Sequence, residues 1–468
     1  MATEKDPLHE LLTFVADHAA EFRAGAANRR VFPRAEALDA MRLSLGTLHD
    51  EPMDALEVIT SLESMVEPAL VATVGPRYFG FVIGGALDAA TAADMLSIGW
   101  DQNAFNAFTS PAAAIVEDVA GGWLRELLQL PSHASFGFVP GGQVANTVGL
   151  AAARHHVLAQ VGWDVELAGL AGSPRVRVVA SNERHVTIDR AVRFLGLGTD
   201  SIEPVAATAQ GTIDVGDLQR VLAQQPAGPT IVCLQVGNVN SGACDDLAGA
   251  IAVARNHGSW VHIDGAFGLW ASANPATRHL TSGVEMADSW AIDGHKWLNV
   301  PQDSGYVFCA HPDSHAAAMV HNAAYLTGQG QGGLRSPGDF IMESSRRARG
   351  FATWAVLRQL GRSGVADLVD GCCSLARQFA RQLAAIDGVT VVNDVVLNQV
   401  LVSFGNDRHT DRVVQIVQDS GECWMGATTW HGQRLMRISV SNWSTTAADV
   451  DRSVRAIHAA FREVIAST

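Results

Sequence analysis

The sequence predicts an α/β protein: a large, mostly parallel sheet domain, a smaller C-terminal α/β domain and an N-terminal helical arm. Three observations predict it. Between residues 130 and 310, short β-rich runs alternate with helical stretches, the pattern of a parallel sheet covered on both faces. The chain has 468 residues, beyond the roughly 250–300 at which one hydrophobic core stops growing, so at least two domains are expected. With 48% hydrophobic and 17% charged residues, little of it is suited to disorder.

Residues 1–80 form the expected arm. Leu8, Leu11, Leu12 and Val15 repeat at helical spacing, and Met53, Leu56, Ile59, Leu62 and Val66 repeat it. Such stripes pack on a partner subunit or a second domain. The large domain is expected over 81–350. Its strands are Ser135–Val139, Val176–Ala180, Thr230–Val236, Trp260–Ile263, Ser289–Ile292 and Gly305–Cys309, with helices at Gln143–Val157, Asp214–Ala223 and Asp245–His257. Gly328, Gly330, Gly332, Gly333 and Gly338, with Pro337, mark 313–345 as a mobile loop. The small domain, 351–468, opens with a long helix from Phe351. Strand-like Val400–Phe404, a helix from Asp411, strand-like Arg434–Val440 and a terminal helix from Ala447 follow.

Composition narrows the function classes. Thirty-three basic against 48 acidic residues give a net charge of −15, which repels phosphate backbones and argues against nucleic-acid partners. The short apolar run Leu11–Ala16 is closed by Asp17, so neither a secretory signal nor a membrane span is expected. The six cysteines contain no CxxC pair, so no metal cluster is expected, and they read as reduced thiols of a cytoplasmic protein.

Four local signals carry chemistry. The strongest runs from Ser289 through Asp293-Gly294-His295-Lys296-Trp297. A lysine at a strand end is ordinarily a solvated charge. Trp290, Trp297 and Leu298 around this one are expected to desolvate it and favour a nucleophilic amine, which suits an imine with a carbonyl cofactor, above all pyridoxal phosphate. In the second, Trp260-Val261-His262-Ile263-Asp264-Gly265-Ala266, an acidic residue ends a buried run. A buried carboxylate needs a partner, and a protonated pyridine nitrogen is one; for a lone Asp, a turn cap is the commoner role. In the third, His185 follows a strand and opens a helix, where an imidazole can stack on a cofactor ring and contact a carboxylate, or simply make ordinary hydrogen bonds. The fourth, Phe138-Val139-Pro140-Gly141-Gly142-Gln143, runs a strand into two glycines and a helix. This is a tight turn or a phosphate-binding helix start.

Their order and spacing resemble the group II pyridoxal-phosphate-dependent amino-acid decarboxylases, the family of aromatic-L-amino-acid, glutamate, histidine and 2,4-diaminobutyrate decarboxylases. The resemblance begins near Val31 and includes Pro76-Arg77-Tyr78-Phe79-Gly80-Phe81, Ser110-Pro111-Ala112 with Glu117, and Gly237-Asn238-Val239-Asn240-Ser241-Gly242. It ends with Ser345-Arg346-Arg347 and Arg437, Asn442 and Trp443. It implies fold type I of the PLP enzymes, the aspartate-aminotransferase-like fold, with pyridoxal 5'-phosphate as cofactor and a homodimer with shared active sites. It implies that Lys296 forms the imine with the cofactor, Asp264 pairs with the pyridine nitrogen, His185 stacks on the ring and Ala266 packs on its other face. Gly142 and Gln143 approach the phosphate with His295 nearby, and Tyr325, in Asn322-Ala323-Ala324-Tyr325-Leu326, is the acid that protonates the substrate carbon. The chain departs from the family's hydroxyl residues in the phosphate turn and from its Gly-Thr-Thr, here Gly237-Asn238-Val239.

The activity expected is decarboxylation of an L-amino acid to its amine and carbon dioxide. Tyr78–Gly85 and Trp100–Phe108 match the pocket-lining stretches of the family. They hold Phe79, Phe81, Val82, Ile83, Phe105 and Phe108, with Arg77 the nearest cation, which favours an aromatic or other apolar side chain. Core or interface roles for these residues are the alternative. The rival functions are a glutamate or other acidic or basic amino-acid decarboxylase, an aldehyde synthase, against which Tyr325 argues, a transaminase, and a catalytically dead interaction protein.

Overall fold

The computed structural model describes residues 6–224, 228–320 and 333–467. In chain order the helices of the first part are α1 (Pro7–Gly25), α2 (Ala35–Ser44), α3 (Ala55–Val66), α4 (Asp88–Trp100) and α5 (Pro111–Leu127). Then come β1 (Ser135–Val139), α6 (Gly142–Ala159), α7 (Val165–Ala168), β2 (Arg177–Ser181), α8 (Val186–Phe194), β3 (Ile202–Val205), α9 (Val215–Ala223), β4 (Thr230–Gln235) and α10 (Leu247–Asn256). After β5 (Trp260–Asp264), β6 (Ser289–Asp293), β7 (Gly305–Cys309) and α11 (Pro312–Met319), α12 (Gly350–Ala384) is a long run broken at Gly361, whose φ of 62° is not helical. The last elements are β8 (Thr390–Val391), β9 (Gln399–Ser403), α13 (Asp407–Ser420), β10 (Gly426–Trp430), β11 (Gln433–Ser439) and α14 (Ala447–Ala466).

The chain divides into two compact units. One comprises Gly84–Arg377 and Asn393–Val400; the other comprises Met1–Ile83, Gln378–Val392 and Leu401–Thr468. The first holds a seven-stranded sheet in the order β1-β7-β6-β5-β4-β2-β3. Strands β2 to β6 are parallel neighbours, while β7 runs antiparallel to both β6 and β1. β2, β4, β5, β6 and β7 are buried along their whole length, so they read as continuous apolar runs rather than as alternation. β3 escaped the sequence reading because it carries Glu203 and Pro204, and an edge position tolerates both.

The topology brings distant turns together. The C-terminal ends of β1, β2, β5 and β6 share one edge of the sheet, where ligands of open α/β sheets bind. Gly305 stands opposite both Asp293 and Val139, so the turn after β1 and the turn after β6 flank one residue. A Cβ on Gly305 would lie 2.6 Å from Cα of Gly141, so glycine is required for this approach.

Residues 313–345, expected as a loop, begin inside α11 and end in anchored chain. The Arg335 guanidinium lies 4.2 Å and 4.4 Å from the ring centroids of Phe136 and Phe340, and a Cβ on Gly338 would meet Phe105 at 2.5 Å. Tyr325 lies outside the described residues.

In the second unit, a four-stranded sheet in the order β10-β11-β9-β8 carries α13 and α14. α14 starts with a capping box between Thr446 and Asp449. Residues 26–31 and 72–79 are tied to the C-terminal segments of this unit: Arg77 donates to the carbonyls of Arg29 and Glu422, and Phe79 N–H donates to Trp424. Tyr78 stacks on Trp424 at 5.0 Å between centroids. The stripes of α1 and α3 keep Leu8, Leu12, Val15 and Leu62 exposed. All six cysteines are free thiols, and among the described residues no helix is long and apolar enough to cross a membrane.

Candidate active site

The edge formed by the ends of β1, β2, β5 and β6 carries the predicted residues other than Tyr325, which lies outside the described residues. Asp264 closes β5, buried, with Oδ1 accepting from Ala266 N–H at 3.2 Å. Ala266 in turn offers its carbonyl to Asp293 N–H at 2.9 Å, which locks the two turns together. His185 caps α8, its Nδ1 accepting from Thr187 N–H at 3.3 Å. The Thr187 hydroxyl reaches both His185 Nδ1, at 2.9 Å, and Asp264 Oδ2, at the long limit of 3.5 Å. His185 and Asp264, 79 positions apart, thus share one neighbour.

Lys296 follows β6 in a tight turn. Its Nζ lies 3.0 Å from Oδ2 of the buried Asp293. Trp290, Trp297 and Leu298, expected to desolvate the amine, are core residues; the group beside the amine is a carboxylate. Asp293 also accepts from the backbone N–H of Gly142, and its Oδ1 lies 3.6 Å from His295 Nε2. His295 Nδ1 accepts from Ser304 N–H at 3.1 Å. Burial holds the His295 imidazole below the usual histidine range, with Asp293 opposing that effect.

Gly141 precedes α6 and brings no capping side chain. A Cβ on Gly141 would meet His295 Cε1 at 2.8 Å, and one on Gly142 would meet Asp293 Oδ2 at 2.8 Å. The Gln143 amide donates to the Thr187 carbonyl at 3.2 Å, so it ties α6 to α8. Gly84 approaches from another stretch: a Cβ there would lie 1.8 Å from the Lys296 carbonyl oxygen.

An amine, a buried carboxylate at a strand end, an imidazole and a glycine-lined helix start therefore meet at one edge. This donor set fits pyridoxal phosphate: the amine for the carbonyl, the carboxylate for a pyridinium, and the α6 turn for the phosphate. Sequence reasoning missed Asp293 and Thr187. An acidic residue three positions before the lysine, at a strand end, is a signal that finds the first; only the fold reveals the second. The other two phenols are occupied elsewhere. The Tyr306 hydroxyl bonds Ser304 and Thr353, and burial pushes both Tyr306 and Tyr78 up to about 12.

The model of the pyridoxal-dependent decarboxylase conserved domain matches residues 38–405. Tryptophan decarboxylase 1 of Oryza sativa subsp. japonica is 27% identical over 93% of this chain and 89% of its own. 4-Hydroxyphenylacetaldehyde synthase of Rhodiola rosea is 24% identical over 96% of this chain and 94% of its own. Among solved structures, Oryza sativa TDC with PLP and tryptamine superposes with a TM-score of 0.89 at 23% identity, covering 99% of both chains.

Proposed function

Because the chain belongs to the pyridoxal-dependent decarboxylase family, with the fold type I architecture and PLP as its cofactor, we propose that this amino-acid decarboxylase converts an aromatic or otherwise apolar L-amino acid to its amine and carbon dioxide. The observation that carries the reading is the meeting of Lys296, Asp264, His185 and the Gly141-Gly142 turn at one sheet edge. Lys296 would hold the cofactor covalently, Asp264 would face its ring nitrogen, and His185 and Ala266 would cover the ring's two faces. Gly142, Gln143 and His295 would lie near the phosphate. When bound, PLP supplies an electron sink for the pair left by the breaking carbon–carbon bond. Asp264, a buried carboxyl at the end of β5, is placed to pair with a protonated ring nitrogen. Asp293 orients the Lys296 amine before the cofactor arrives. Tyr325 is proposed as the donor that returns a proton to the substrate carbon.

The apolar preference rests on exposure. Phe79, Val82 and Phe105 are core, whereas Phe81, Phe108 and Trp100 are 61%, 58% and 52% exposed. Arg77, the nearest cation in sequence, is buried with its guanidinium engaged by main-chain carbonyls, and Arg346, which donates to the Ala104 carbonyl inside the second stretch, is buried in an ion pair with Glu117, so neither is offered to a substrate carboxylate. Mass detection of amines from a panel of L-amino acids tests this. Amine from tryptophan, tyrosine or phenylalanine is expected; amine from glutamate alone would overturn the apolar assignment.

The aldehyde synthase likeness supports a second reading, oxidative deamination beside decarboxylation. Hydrogen peroxide and ammonia released in step with product would mark it. A homodimer is proposed from the exposed Leu96, Ile98 and Ile115 of α4 and α5, residues not assigned to the substrate pocket. A cytoplasmic location is proposed from the six unpaired thiols.

A further inference from the structure

Beneath the Asp264 edge runs a continuous chain of polar side chains that the proposed chemistry does not use. Trp260 Nε1 donates to Ser289 Oγ at 3.0 Å. Ser289 Oγ meets His262 Nδ1 at 2.8 Å, and His262 Nε2 meets Asn146 Oδ1 at 2.9 Å. Asn146 Nδ2 donates to Thr187 Oγ1 at 3.1 Å, and Thr187 Oγ1 meets His185 Nδ1 at 2.9 Å. Trp260, Ser289, His262 and Asn146 are all buried. The chain crosses β6, β5, α6 and α8, so it exists only in the assembled sheet. α6 makes room for it: a Cβ on Gly149 would meet His262 Cε1 at 2.7 Å.

Its direction is fixed at one end. An indole nitrogen only donates, so Ser289 accepts there and turns its own proton to His262 Nδ1. Burial holds His262 neutral, with its imidazole pushed down to about 3. A neutral ring that accepts at Nδ1 carries its proton on Nε2 and gives it to Asn146 Oδ1. The Asn146 amide then donates to Thr187, whose hydroxyl proton goes to the nearer acceptor, His185 Nδ1 at 2.9 Å, rather than to Asp264 at 3.5 Å. The reverse direction fails at both ends. Ser289 would accept twice and leave its proton unplaced, and a proton on His185 Nδ1 would face Thr187 N–H at 3.3 Å.

We propose that His262, Asn146 and Thr187 are positioning residues: their relay fixes His185 as the Nε2–H tautomer, with Nδ1 accepting from the Thr187 hydroxyl. This rests on the reading of His185 as a cofactor-site residue only for its consequence in turnover; the tautomer itself is a property of the protein alone. Two measurements test it.

Nitrogen-15 spectra of the histidine rings in the cofactor-free full chain should show both His262 and His185 protonated on Nε2. In the PLP-loaded enzyme, Thr187→Val removes the 2.9 Å hydroxyl contact and leaves Nδ1 only the longer Thr187 N–H at 3.3 Å, so it should mix the His185 tautomers, change the visible band of the bound cofactor and lower kcat by about tenfold or more, as expected when a group beside the reacting centre is misplaced. Thr187→Ser should restore all three. Gly149→Ala deletes no polar group and should act like Thr187→Val by displacing His262. If Thr187→Val and Gly149→Ala lower Tm but leave the tautomer, the band and kcat within twofold of wild type, the relay is merely structural and the proposal is overturned. A His185 ring found protonated on Nδ1 overturns it directly, even where a variant fails to fold. Failure of the cofactor assignment would look different: the unaltered chain would develop no visible band with PLP, whatever its tautomers.

Discussion

The Nζ of Lys296 lies 3.0 Å from Oδ2 of Asp293, and the same carboxylate accepts from the backbone N–H of Gly142. One buried side chain thus joins the lysine turn to the start of α6. Asp293→Ala should strand a buried N–H, costing about 1–3 kcal/mol, and release the amine. Expected outcomes are a lower Tm and poorer retention of PLP absorbance after dialysis. Asp293→Asn keeps an acceptor for Gly142 and should lose less stability. An unchanged Tm for Asp293→Ala would remove Asp293 from this role.

Gly84→Ala is expected to be far more harmful than its size suggests. The added carbon would lie 1.8 Å from the Lys296 carbonyl oxygen, backbone against backbone, so the lysine turn must move. Overpacking of this kind costs about 1–3 kcal/mol or more. Retention of PLP absorbance should fall sharply. Gly122→Ala is the contrast: inside α5, with nothing near the added methyl, it should gain up to about 1 kcal/mol from helix propensity. Thermal denaturation of both variants checks the pair.

Glu117 and Arg346 form an ion pair with both side chains fully buried. Burial raises the Glu117 carboxyl, and Arg346 opposes it. Arg346 also donates to the carbonyls of Ala104 at 3.0 Å and Phe138 at 2.8 Å, so it joins the segment after α4 to β1. Glu117→Ala leaves an uncompensated buried guanidinium, and a cost of about 3–5 kcal/mol is expected. Denaturant titration measures it; a cost below that of a surface pair would show that the pair is not buried in solution.

Two histidines make the fold sensitive to acid. Burial pushes His262 and His315 down to about 3 from 6.5. Between those values the unfolded chain binds protons that the folded chain refuses. Their contribution is therefore fully present above pH 6.5 and falls as pH drops toward 3, by up to ~1.4 kcal/mol per pH unit for each ring. Tm should fall between pH 7 and pH 5, and His315→Gln should flatten the fall. A Tm independent of pH over that range would contradict the neutral buried rings.

The six thiols should resist modification. Burial pushes Cys233, Cys244, Cys309, Cys372, Cys373 and Cys423 up to about 12. A colourimetric thiol reagent at pH 8 should label the native protein slowly and all six cysteines after denaturation. Rapid native labelling would place a thiol at the surface.

Much of the large sheet was legible because its strands are buried on both faces and bounded by turns. Apolar runs mark such strands, and their ends fall within a residue of the observed ones, as with Trp260–Asp264 and Ser289–Asp293. β3 and β10 were not legible: Ile202–Val205 carries a glutamate and a proline, and Gly426–Trp430 begins with a glycine and has two threonines. Lys296, Asp264 and His185 stood out because each sits at a strand end or helix start. Asp293 carried a local signal, three positions before Lys296, but its bond to Gly142 N–H, the bond of Asn146 to Thr187 and the pairing of Glu117 with Arg346 join distant stretches of chain, and periodicity records only near neighbours. The sequence boundaries of 80 and 350 mark changes of pattern; the compact units follow contacts, which group residues 1–83 with the C-terminal strands.

Gly305 stands opposite both Val139 and Asp293. The two turns it joins are separated by some 150 residues of chain, and β1 lies at the rim of the sheet. Closing so long a loop costs entropy, and Val139 reaches Asp293 only through β7, the strand between them. A refolding chain is therefore expected to gain its cofactor-binding edge only when β1 docks beside β7, so that capture of PLP would report that docking.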